Sequence, residues 1–137
     1  MNLLLILAVI TCVMAFIAHA KNWVRLEDDR LRILSGIFYE EIQISQMDSL
    51  KWVDKIPQME RERGFSAWSF EKGTFKDSLM PEKRIRVFVD NLRHRKIKMV
   101  YGDTLVLYFN LTDSLKTEAL YQKFQIQKSG DAEQFLD

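Results

Sequence analysis

The chain has 137 residues, 47% of them hydrophobic and 28% charged, with a formal net charge of +1. That length makes one domain, and the near-neutral charge excludes a general nucleic-acid binder, which carries a large basic excess. A single cysteine excludes an intrachain disulfide, and five scattered glycines leave no phosphate-cradling loop.

Every charged side chain follows Ala20, so residues 1–20 form a block of their own. Residues 3–18 are an apolar run broken only by Thr11. At 1.5 Å per residue the run is roughly 24 Å long, short of a ~30 Å hydrocarbon core. Met1, Ala20 and an interfacial Trp23 would extend it, and we expect a transmembrane anchor over 1–20. Ala18-His19-Ala20 also fits a signal-peptide cleavage pattern, which leaves an exported soluble domain as the alternative. No Lys or Arg precedes the run, whereas Lys21, Arg25, Arg30 and Arg32 follow it. That asymmetry favours an uncleaved, single-pass anchor in the cell membrane with the domain on the cytoplasmic side. Cys12, inside the run, reads as a small hydrophobe.

A domain is expected over 21–128, followed by a polar, acidic tail over 129–137. A first strand lies over 23–26, with a turn at Glu27-Asp28-Asp29. Leu31 and Ile33 alternate with Arg30 and Arg32 until Gly36 interrupts, and Ile42 and Ile44 resume the alternation. A short strand over 50–53 ends at Asp54-Lys-Ile-Pro57. Charge without apolar period predicts a loop over 55–64. Residues 67–70 and 74–75 flank Glu71-Lys72-Gly73 as a hairpin or bulged pair. Gly64 and Gly73 are structural candidates, expected in loops with positive φ.

The clearest patterning lies over 84–124. Ile85, Val87 and Val89 share one strand face, as do Ile97 and Met99 on the next strand. After the turn at Tyr101-Gly102-Asp103, Leu105, Leu107 and Phe109 share a third. Asn110-Leu-Thr-Asp113 then starts a helix whose Thr117, Leu120, Tyr121 and Phe124 fall at i, i+3, i+4, i+7. Leu120 and Phe124 are its expected core contacts. The total is about seven antiparallel strands and one C-terminal helix, a mainly β domain.

Chemistry has little to work with. Outside residues 1–20 His94 is the only histidine, among basic neighbours, so no nucleophile–base pair and no zinc ligand set can be assembled. Neither Glu27-Asp28-Asp29 nor Glu40-Glu41 has calcium-loop spacing. No catalytic residue, metal or cofactor is expected. The candidate surface is a basic strip over 83–98, where Arg84, Arg86, Lys96 and Lys98 share the outward parity of their strands. Such a patch could rest on anionic lipid heads.

The order of several short motifs resembles the bacterial pleckstrin-homology-domain proteins, small chains with an N-terminal membrane segment. The motifs are Leu31-Arg-Ile33 before a glycine, Ile42-x-Ile44-x-x-Met47-x-x-Leu50, Asp54-Lys-Ile-Pro57, Arg61-x-x-Gly64-Phe65 and Lys72-Gly-x-Phe75. Asn110-Leu-Thr-Asp113 with Thr117-x-x-Leu120-Tyr121 completes them, over about two thirds of the chain. The resemblance implies a bent antiparallel barrel plugged at one end by its C-terminal helix, without catalytic activity. Members that bind phosphoinositides place basic residues around the first hairpin. Glu27-Asp28-Asp29 stands there instead and repels phosphate, so a phosphoinositide site is not expected. The function expected is that of a membrane-tethered module binding a protein partner or a second copy, with a lipid-surface reader acting through the strip as the alternative.

Overall fold

The computed structural model describes residues 2–102 and 105–134. Met1, Asp103 of the expected turn and the last three residues of the expected tail lie outside them.

The apolar run forms a helix, α1 (Leu3–Ala20), with every described side chain through Ala18 exposed. Its one hydroxyl is satisfied internally, since Thr11 Oγ1 donates to the Leu7 carbonyl at 2.8 Å. Among the described residues no helix is long and apolar enough to cross a membrane. A run of sixteen residues does not reach across a hydrocarbon core by itself.

The domain that follows is mainly β. Among the described residues it has nine strands: β1 (Asn22–Glu27), β2 (Arg30–Ser35), β3 (Phe38–Gln43), β4 (Met47–Val53), β5 (Glu60–Ala67), β6 (Phe70–Lys76), β7 (Arg84–Val89), β8 (Lys96–Tyr101) and β9 (Leu105–Asn110). β1-β2-β3 form one antiparallel sheet, and β4-β8-β9-β7-β6-β5 form a second of six strands. The expected bent barrel of about seven antiparallel strands is therefore corrected on three points. There are two more strands, two separate sheets, and one parallel pair, β7 with β9. Although β7 and β8 are consecutive in the chain, each pairs with β9, which lies between them. Alternation along a strand reports its own faces and is silent about its neighbours.

Insertion at the centre buries all six residues of β9. On one side Leu105, Leu107 and Phe109 join Phe88, Ile97 and Met99 against Leu31, Ile33, Phe38 and Ile42 of the smaller sheet. On the other, Val106 and Tyr108 join Phe75, Ile85, Val87 and Val89 beneath Val53, Ile56, Met59 and Leu92. A sheet covered on both faces has no polar side, so the simple alternation expected for β9 fails.

The predicted loop over 55–64 is half strand. Glu60 to Arg63 are exposed residues of β5, at the edge of the larger sheet. An edge strand wet on both faces shows no apolar period, and charge there discourages further pairing. The β5–β6 turn falls at Trp68 and Ser69, so Glu71-Lys72-Gly73 is strand and not turn. Gly64 and Gly73 also lie in strands, directly opposite each other. Their φ values of +132° and +158° are positive as expected, but space is the stronger constraint. A Cβ on Gly64 would sit 2.1 Å from the Lys72 carbonyl oxygen, and one on Gly73 2.2 Å from that of Arg63.

The second helix, α2 (Ser114–Gln134), starts where its signal predicted. Asp113 Oδ1 accepts from the Leu115 amide at 2.9 Å, an N-cap bond. Thr117, Leu120 and Phe124 are buried on one face, and Phe124 meets Phe109 at 6.2 Å between ring centroids. The helix continues through Gly130 to Gln134, so the segment expected as a tail from 129 is helical that far.

Candidate functional site

The basic strip does not assemble. Arg84 and Arg86 share the face of β7 that carries Phe88, toward the smaller sheet, where both meet Glu40 of β3, at 3.7 and 3.0 Å. Arg86 also lies over the Phe38 ring. Lys98 lies on the opposite face, over Tyr108. Lys96 shares the parity of Lys98 but is only 1% exposed, and its ammonium donates to the Asp54 and Leu92 carbonyls. Burial pushes the Lys96 pKa down, with Asp54 opposing. Outward parity on two strands makes one surface only where the strands are in phase; the intervening β9 sets β7 and β8 in opposite phase.

A polar cluster stands instead where α1 joins the domain. Asn22, the first residue of β1, donates its amide to both Asp90 oxygens at 2.9 and 3.1 Å. Its side chain donates to the carbonyls of Phe88 and Asn110. Lys72, with no exposure at all, reaches Asn22 Oδ1 and Asp90 Oδ1, each at 2.5 Å. Asn110 Oδ1 accepts from the Asp90 and Asn91 amides. Thr112 Oγ1 donates to Asp90 Oδ2 at 3.2 Å. Residues from four strands and the α2 leader thus meet in one hydrogen-bonded group, which is how a buried ion pair becomes tolerable. Two signals for it stood in the sequence. Lys72 shares strand parity with Phe70, and Asp90 is the lone acid of the strip.

Burial pushes the Lys72 ammonium below its ordinary value, with Asp90 opposing through charge and hydrogen bonding. A depressed lysine can serve as a base, but this one has no exposed surface. A cleft of about 480 Å³ beside the cluster is lined by Lys21, Trp23, Asp90, Thr112, Asp113 and Lys116 among others, and Lys72 is not on its wall. The cluster is a clamp holding the end of α1 to the domain. Among the described residues no group of three or more His, Cys, Asp or Glu is placed to hold a metal ion.

The fold and site define a mainly β, two-sheet domain with a C-terminal helix and an apolar helix clamped at its start. No family model, curated protein or solved structure matches the chain.

Proposed function

We propose that this chain is a non-enzymatic, membrane-attached interaction module with α1 embedded in lipid, binding a protein partner or a second copy. One observation carries the reading. α1 is apolar on every side and exposed on every side, from Leu3 at 79% to Ile17 at 59%. A helix hydrophobic all round is stable only inside something apolar, and the domain covers little of it. The basic residues after Ala20 favour a cytoplasmic domain.

For the partner, the outer face of the smaller sheet is the supporting feature. Trp23, Leu34 and Tyr39 are register neighbours across its three strands and are 58%, 44% and 54% exposed. Beyond that row, Arg25, Glu27, Arg30, Arg32 and Glu41 tie one another in ion pairs. An apolar row with a polar rim is the usual layout of a protein contact. The pleckstrin-homology likeness belongs with this reading as a scaffold resemblance, supported by sheets packed under a C-terminal helix; the parallel β7–β9 pair departs from it. The alternative lipid reader through Arg84, Arg86, Lys96 and Lys98 loses its single surface.

Two measurements on the full chain test the proposal. It should remain in the membrane fraction through high-salt and alkaline washing, with the domain cleaved by protease only from the cytoplasmic side. A photocrosslinking residue at Leu34 should give a protein adduct in native membranes. A soluble exported chain beginning at Lys21 refutes the anchor, and lipid adducts alone at Leu34 refute the protein partner.

A further inference from the structure

The register places several exposed apolar groups at the α1 end of the domain. Asn22 pairs with Ser35, so the β2–β3 turn and its Ile37, 71% exposed, lie at that end. Lys72 bonds Asn22, so the tip of the β5–β6 hairpin lies there too, carrying Trp68 at 85% exposure and φ +49°. The 91–95 loop joins them, because the Leu92 amide donates to the Ser69 carbonyl at 2.6 Å. Exposed Arg93 lines a cleft with Trp68, and exposed Lys21 follows α1 directly. The acidic turn Glu27-Asp28-Asp29 lies at the other end, with Asp48.

Trp68 does not merely point along α1. Its ring meets Phe16 edge-on at 5.4 Å, and Phe70 lies 6.4 Å from Phe16. Phe16 is four residues before the end of α1, about 6 Å back along the axis. A helix held in lipid to Ala20 therefore carries the hairpin tip to the depth of its own last turn. Trp23 folds back the same way, donating its indole N–H to the Ala18 carbonyl at 3.2 Å. Tryptophan beside basic residues is the composition of a membrane–water interface.

We propose that the α1 end of the domain is seated in the lipid interface around α1, with Trp68 and Ile37 among the headgroups and Lys21 and Arg93 on their phosphates. This rests on the membrane attachment proposed above and adds an orientation to it: the hairpin tips are inward and the acidic turn faces water. It also answers the shortness of α1, since a span below the hydrocarbon thickness draws its flanks into the interface. No headgroup pocket is required.

The test uses the full chain with Cys12→Ala, reconstituted in vesicles of phosphatidylcholine and phosphatidylglycerol, with a spin label at Ser69→Cys or Asp28→Cys. The Ser69 label should be accessible to oxygen and shielded from a water-soluble nickel chelate by at least about fivefold relative to the Asp28 label. Trp68→Glu with Ile37→Glu should abolish that shielding while the chain still resists alkaline washing. Equal nickel access at the two positions in a wash-resistant chain overturns the seating and leaves the anchor standing. Loss of the chain on washing overturns both. Spin–spin broadening at Ser69 in place of oxygen access assigns this end to a second copy and also overturns the proposal.

Discussion

Lys72 shows how one side chain can matter more for what it leaves behind than for what it contributes. Replacing it with Met strands Asp90 as a buried charge, and breaking such a pair costs about 3–5 kcal/mol. The pH dependence has a definite sign. Burial holds the folded-state pKa below the ordinary 10.5, so between the two values the unfolded chain binds more protons than the native one. Stability at this residue therefore rises with pH across that window. In denaturant melts the advantage of the wild type over Lys72→Met should grow from neutral pH toward 10.5. A gap that stays flat would mean a lysine as free as in the unfolded chain, and a gap that shrinks would mean that pairing with Asp90 outweighs burial.

At the level of elements, α2 is the piece that completes the core. Its Leu120 and Phe124 join residues of both sheets in one apolar cluster, and Tyr121 stacks on Trp52 of β4 at 4.5 Å. Arg95 also lies over the Trp52 ring, 4.3 Å from its centroid. Phe124, with no exposure, should cost about 3–5 kcal/mol when replaced by Ala. A loss below about 1 kcal/mol in the same melts would make α2 a peripheral element. Opposite it, the β5–β6 hairpin depends on the facing Gly64 and Gly73, whose backbones come too close for any side chain between them.

Across the whole molecule, charge that looks alike along the chain is put to different uses. Lys96 ties the β7–β8 connection to the end of β4, whereas Lys98 lies partly open over Tyr108. Lys96→Glu would set a carboxylate against two carbonyl oxygens in a buried site and should cost more than about 3 kcal/mol. Lys98→Glu should change stability by less than about 1 kcal/mol. Similar losses for the two would mean that Lys96 is not buried between those carbonyls. The larger division is between ends. One end gathers Trp23, Ile37, Trp68 and Arg93 around α1, and the other carries the acidic turn.

The positions of most strands, the start and buried face of α2, and the apolar helix at the beginning could all be read from the chain. Each is a local property, in which the period of apolar residues reports what one strand or helix does with its own faces. Tertiary structure alone decided the rest. It put β9 between β7 and β8, split the basic strip between two faces, made strand of the charged 60–63 stretch, and built the clamp from residues 18 to 88 positions apart. These outcomes depend on which strands become neighbours, and a strand's pattern of faces is the same whichever neighbour it takes.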